Sequence, residues 1–208
     1  HIAALPLMLD AVSSLRQGPV LIHALPETIA ALRTHVFNNI IWPNFECIPS
    51  ADHPFIRYRQ LETGELRVVA GLTVEALPAI HTVAAVGYAI QGRTGWWAFS
   101  GDTERNPAFW KRVNQLPLAV LVIETAFSDR ERALALRSLH LSPQALLAEL
   151  ALCELRDCPV YITHTKPAET EVIFQEILLG LAMQPATTRR RRGPLDIRWL
   201  KAGQEFSI

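Results

Sequence analysis

No stretch of this sequence approaches the ~20 consecutive apolar residues that a helix needs to cross a bilayer. Nor do its first residues show a basic segment, an apolar core and a cleavage site. The expectation is a soluble, cytoplasmic protein with no membrane partner. A periplasmic location stays open, because the chain begins at His1 and not at a methionine. Net charge is also missing: twenty Lys and Arg balance twenty Asp and Glu. No global field therefore draws the protein to nucleic acid, and a charge-driven partner must find a local patch. Cysteine is scarce. Cys47, Cys153 and Cys158 are odd in number and lack the paired spacing of a zinc site, which predicts structural thiols in a reducing compartment and not a disulfide framework. There is no internal repeat, which argues against a solenoid.

What is present suits a globular domain. The chain has 208 residues, 50% of them hydrophobic and 19% charged, enough to bury one substantial core. Helical spacing runs from Ile2 to Arg16 and stops at Gly18-Pro19. A short apolar run, Val20 to His23, precedes a helix opened by Pro26. Residues 38–54 are rich in Pro, Asn and aromatics without a period, and read as a loop insertion. Phe55–Gln60, Leu66–Ala70, Leu72–Leu77, Val86–Gln91 and Trp96–Phe99 are β-rich runs broken by glycine, which predicts a meander. Pro107–Leu116 reads as helix and Leu118–Ile123 as a buried strand. Ser142-Pro143 reads as a capped helix start leading through Leu155. Val160–Thr163 is a strand, Glu169–Met183 a helix, and Ile197–Leu200 and Glu205–Ile208 closing strands. The four arginines Arg189–Arg192 read as a solvated loop. The pattern is that of a layered α/β domain with sheets between helices.

Seven histidines occur, and the informative ones lie at strand ends. His81 follows Leu77-Pro78-Ala79-Ile80, Asp102 lies in Phe99-Ser100-Gly101-Asp102-Thr103, His164 ends Val160–Thr163, and His140 precedes the helix opened by Pro143. Imidazoles and carboxylates gathered at rigid strand ends suit zinc or another first-row divalent ion. Each histidine alone is as well explained by a hydrogen-bonded structural imidazole, the reading that fits His23, His35 and His53.

Taken jointly, Asn38-Asn39-Ile40-Ile41-Trp42-Pro43-Asn44-Phe45, Ala79-Ile80-His81, Phe99–Thr103, Ile123-Glu124-Thr125-Ala126-Phe127, His140-Leu141-Ser142-Pro143 and Thr163-His164-Thr165-Lys166-Pro167 resemble the class II cyclic-nucleotide phosphodiesterases of the metallo-β-lactamase superfamily. The resemblance implies an αββα sandwich over residues 1–208 lacking its first strands. It also implies two divalent metal ions, zinc with Mn2+ or Fe2+ as alternatives, and hydrolysis of 3′,5′-cyclic AMP or GMP to the 5′-nucleotide by hydroxide generated on the metals. The metal ligands it implies are His1, His81, Asp102 and His164, with Asp102 bridging. His1 looks like the last residue of His-x-His-x-Asp-His, so the earlier ligands are expected upstream, and a protein begun at His1 is expected to bind metal poorly and be inactive. The catalytic residues implied are Asp102, His140 as the group that protonates the leaving oxygen, and Glu124 as its orienting carboxylate. No substrate-binding residue is assigned, although Trp42 and Phe45 are loop aromatics of a kind that stack on purines. Trp96 and Trp97 read as core. Nucleic acid is not the expected partner, and a homodimer is consistent with the resemblance. Two other readings share these motifs: a tRNA 3′-processing endonuclease, which has the same Glu124 and His140 features but needs a broad basic surface, and a metal-free homologue without catalysis.

Overall fold

The computed structural model describes residues 2–13, 15–153, 158–183 and 195–208; His1 and the run Arg189–Arg192 lie outside them. Two compact units are present, His1–Glu62 and Thr63–Ile208.

In the first unit, the apolar periodicity after Ile2 forms α1 (Leu5–Ser13) and the short run after Pro19 forms β1 (Val20–Ala24). Pro26 opens α2 (Pro26–Ala31) at the first-turn position, where its missing N–H costs nothing. The helix continues as a π-helical turn over Leu32–Val36. After a long loop comes β2 (Ile56–Gln60), which pairs in parallel with β1, Val20 opposite Ile56 through Ala24 opposite Gln60. The expected meander therefore begins later than the sequence suggests. Phe55–Gln60 is not the neighbour of the next strand, because a loop and helix between β1 and β2 form the crossover that parallel pairing requires. The loop over residues 38–54 is ordered by its own side chains. Asn38 Oδ1 accepts from the amides of Ile40 and Ile41, and Asn39 Oδ1 from that of Asn44. Phe45 is buried against Phe37, Trp42 and Phe55, so it is core and not a platform for a base.

The second unit contains β3 (Leu66–Val69), β4 (Leu72–Pro78), β5 (Val86–Gln91), β6 (Trp96–Phe99), α3 (Pro107–Val113), β7 (Leu118–Glu124), a 3-10 turn (Asp129–Glu131), α4 (Arg132–Ser138), α5 (Pro143–Leu150), β8 (Val160–Thr163), α6 (Thr170–Met183) and β9 (Ile197–Trp199). Its seven strands form one sheet in the order β3 to β9. Pairing is antiparallel from β3 to β6 and parallel from β6 to β9. Strand β7 is an interior strand, paired in parallel with β6 and β8, which explains its nearly unbroken apolar sequence. Its side chains alternate between two cores, as the period of two demands. Leu121 and Ile123 join Leu77, Ala89, Ala98 and Ile162 in a cluster with Phe109 and Trp110 of α3, Leu146 and Leu150 of α5, and Ile173 and Ile177 of α6. Val120 and Val122 join Tyr161, with Trp97, Phe99, Phe206 and Ile208 packed around them.

Three local expectations change. Helix α5 ends at Leu150, and Leu155, to which the expected helix ran, lies outside the described residues. Its start is capped from elsewhere: the Ser142 hydroxyl makes no cap bond but donates to Asp129 Oδ1 at 2.7 Å, and that same oxygen accepts from the Gln144 amide. Glu205–Ile208 is not a strand; Phe206 packs on Tyr161 through its ring and Ile208 packs against the same cluster, so partial burial is achieved without strand pairing. No helix among the described residues is long and apolar enough to cross a membrane. All three cysteines are free thiols, and burial pushes that of Cys158 up to about 11.

Candidate metal centre

Strands β4, β6, β7 and β8 run in the same direction, because β4 and β6 are both antiparallel to β5 while β6, β7 and β8 are parallel. Their carboxyl ends therefore open on one edge of the sheet, the edge where α/β proteins place ligands. His81 lies just past β4, Asp102 just past β6, Glu124 is the last residue of β7, and His164 follows β8 directly. His140 lies between α4 and α5.

Local backbone geometry delivers each side chain. Gly101 sits at φ +63°, and a Cβ there would come within 2.6 Å of the Val86 carbonyl oxygen. Only glycine makes that turn before Asp102 without displacing β5. The Ile80 amide donates to Thr103 Oγ1 at 2.9 Å, and the Glu104 amide to the Ile80 carbonyl at 2.8 Å, so the loops bearing His81 and Asp102 are tied together. His164 adopts φ +62°, in the left-handed region. A non-glycine residue there costs of order 1–3 kcal/mol and persists only when its surroundings enforce it. The Thr125 amide, which donates to the Thr163 carbonyl at 3.0 Å, supplies part of that enforcement.

The side chains converge. Ligand-capable atoms of His81, Asp102 and His140 all lie within 4.8 Å of one another. His164 Nδ1 is 3.6 Å from Asp102 Oδ1. The His140 ring stacks on that of His164 at 5.2 Å between centroids and meets His81 edge-on at 4.8 Å. His81 Nδ1 lies 3.3 Å from the carbonyl oxygen of Leu139. A carbonyl only accepts, so Nδ1 carries the proton and Nε2 is left with the lone pair that a metal ligand needs. Leu139 itself sits at φ +55°, ψ +55°, the left-handed cap of α4.

Behind this cluster lies Glu124, 0% exposed. Its Oε1 accepts from His140 Nδ1 at 2.7 Å and from the Thr103 amide at 3.0 Å. Its Oε2 accepts from the amides of Ala126 at 3.1 Å and Leu141 at 3.3 Å. Its own amide donates to Ser100 Oγ at 3.1 Å. Burial raises the Glu124 pKa, opposed by the hydrogen bond and charge of His140 and by the amides of Thr103 and Leu141. All four partners of the carboxyl oxygens are donors, so the arrangement solvates the carboxylate form. Burial also lowers the His164 pKa; Asp102 opposes this, while the charges of His140, Lys166 and His81 add to it.

Imidazole nitrogens and one carboxylate within this span fit a first-row divalent ion such as zinc, whose ligand distances are about 2.0–2.2 Å. Of the residues expected at the site, the structure brings together His81, Asp102, His140, His164 and Glu124; His1 lies outside the described residues. His140 stands close enough to be a ligand as well as a proton donor. The sequence reading passed over Ser100, Thr103, Leu139, Phe127 and Lys166. All but Leu139 lie inside the motifs quoted for the resemblance, which was the available signal. Nothing in the sequence marks a leucine for the left-handed region.

Comparison with known proteins defines the class. The chain superposes on a crystal structure of unliganded yeast PDE1 with a TM-score of 0.79 at 20% identity, covering 97% of this chain and 64% of that one. It superposes on the metallo-β-lactamase fold protein YhfI from Bacillus subtilis with a TM-score of 0.70 at 11% identity, covering 98% of this chain and 71% of that one. The short form of human tRNase Z follows with a TM-score of 0.55 at 17% identity, over 79% and 68% of the two chains. The fold is that of the metallo-β-lactamase proteins. Within that class, residues 8–90 match the family of class-II cAMP phosphodiesterases. No curated protein sequence matches the chain. The chain spans 64% of the length of the yeast structure.

Proposed function

We propose that this protein is a metal-dependent phosphodiesterase acting on 3′,5′-cyclic nucleotides. The observation that carries the reading is the buried Glu124–His140 pair, whose imidazole opens onto the cluster of His81, Asp102 and His164. The match of residues 8–90 to the class-II cAMP phosphodiesterases supports the substrate class.

His81, Asp102 and His164 would hold the metal. When bound, two divalent ions offset the charge of the phosphate and lower the pKa of water towards neutrality. His140 does the proton work. Glu124 occupies Nδ1 and fixes the ring, so Nε2 is the nitrogen directed at the substrate and the one from which a proton is donated. That proton goes to the ribose oxygen as its bond to phosphorus breaks. Packing at 8% exposure keeps the His140 ring in one orientation, so the donor is placed before substrate arrives.

The test uses the full-length protein supplemented in turn with Zn2+, Mn2+ and Fe2+, and follows cyclic AMP, cyclic GMP and precursor tRNA. Hydrolysis of the cyclic nucleotides to 5′-nucleotides is expected, abolished by chelator. His140→Ala should lower kcat by about 10²- to 10⁴-fold, the usual contribution of a positioned acid, with metal content unchanged. Cleavage of precursor tRNA with cyclic nucleotides left intact would replace this reading by the endonuclease one. Loss of metal in His140→Ala would make His140 a ligand.

A further inference from the structure

Beyond β8, the left-handed turn at His164 sends the chain back across the end of β7. The Lys166 amide approaches the Ala126 carbonyl at 3.4 Å, and the Lys166 carbonyl accepts from the Glu169 amide at 2.9 Å and from Thr170 Oγ1 at 3.0 Å. The backbone of Lys166 is therefore fixed on both sides, while its side chain is exposed. The ammonium rests over the ring of Phe127, 5.3 Å from the centroid. Phe127 is itself buried, and its ring meets that of His140 at 5.7 Å. Lysine, phenylalanine and the candidate acid thus form one continuous row.

An aromatic face attracts a cation without neutralising it. Among the described residues no carboxylate lies within ion-pairing distance of Lys166. The charge is consequently held at the rim of the cluster and left available. An ammonium on a flexible stem is a point charge able to follow a small anion.

We propose that Lys166, seated on Phe127, is the binding residue for the anionic phosphate of the substrate, contacting a non-bridging oxygen. The inference rests on the phosphodiesterase reading of the same site. It adds a residue whose role is to hold the phosphate against His140, and it assigns Phe127 the task of steering the ammonium there.

The experiment compares Lys166→Gln and Lys166→Arg with the unaltered full-length protein, all supplemented with zinc. Inorganic phosphate is titrated calorimetrically, and KM and kcat are measured for cyclic AMP. Lys166→Gln should weaken phosphate binding and raise KM by about tenfold, the low end for a hydrogen bond to a charged group. Its kcat should stay within about threefold, as expected when the contact is equally strong in ground and transition states. Lys166→Arg should recover most of the loss, and thermal unfolding of both variants should match the parent. Phosphate affinity and KM unmoved in Lys166→Gln, or no phosphate binding by the parent, would overturn the proposal. If cyclic nucleotides are not hydrolysed yet phosphate binding still depends on Lys166, the hydrolytic reading fails and this one stands. If hydrolysis proceeds with phosphate affinity and KM unchanged in Lys166→Gln, the reverse holds.

Discussion

Two buried carboxylates organise the second unit, and they do it with different partners. Glu124 lies at the end of β7, where His140 and the amides of Thr103, Ala126 and Leu141 surround it. Glu149 lies on α5 and is 1% exposed. It accepts from Arg105 Nε at 2.9 Å, the Asn106 amide at 2.7 Å and Trp110 Nε1 at 2.7 Å. Each gathers segments remote in sequence, because a buried carboxylate must collect several donors to survive the loss of water. The difference is what the partners can do. The donors of Glu149 cap and brace: Asn106 accepts from the Phe109 amide to begin α3 and donates to the Pro78 carbonyl. Glu124 holds an imidazole, a side chain able to give or take a proton at its other nitrogen. The same device braces structural groups in one place and orients an imidazole in the other, and the identity of one partner decides which.

The sharpest way to break the comparison is to remove each carboxylate. Glu124→Ala and Glu149→Ala should each cost about 3–5 kcal/mol of stability, as expected when one partner of a buried charged network is removed. Denaturant unfolding measures this. Only Glu124→Ala should also cut kcat on cyclic nucleotides, by about 10²- to 10⁴-fold, whereas folded Glu149→Ala should keep kcat within a few-fold. Equal losses of kcat would mean that both networks merely hold the fold. A smaller effect is expected at Gly101, beside the Glu124 network. Gly101→Ala must push against the Val86 carbonyl and accept a left-handed φ, so a loss of about 1–3 kcal/mol is expected. Metal stoichiometry should fall with it, because Asp102 is the next residue. Smallest of all, Arg105→Gln should cost only about 1 kcal/mol or less. Its side chain is 52% exposed, and Glu149 retains the Asn106 and Trp110 donors.

Several of these relations were legible from the chain. Proline at helix starts marked α2, α3 and α5, and alternating or continuous apolar runs marked β5, β6, β7 and β8 to within a residue. The motif positions His81, Asp102, Glu124, His140 and His164 were legible as a set. The pairing of β2 was not, because a β-rich run looks the same whether its neighbour is the next strand or one that lies earlier. Glu205–Ile208 has the composition of a strand, yet Phe206 and Ile208 are partly buried by packing without strand pairing. Ser142 looked like a cap, but Asp129 arrives from the preceding turn and takes that role.

The sequence by itself determined which residues could carry chemistry, because imidazole and carboxylate groups are scarce and their places at the ends of apolar runs are local facts. The resemblance already paired Glu124 with His140, whereas only the tertiary structure decided that Glu149 meets an arginine, an amide and an indole. Glu124 and Glu149 are both single glutamates at the edge of an apolar segment. What separates them is the direction in which each strand or helix end points, and therefore which donors are within reach when water has been expelled. The same holds for Lys166, an ordinary exposed lysine in sequence, whose seat on Phe127 exists only because His164 turns the chain back across the end of β7.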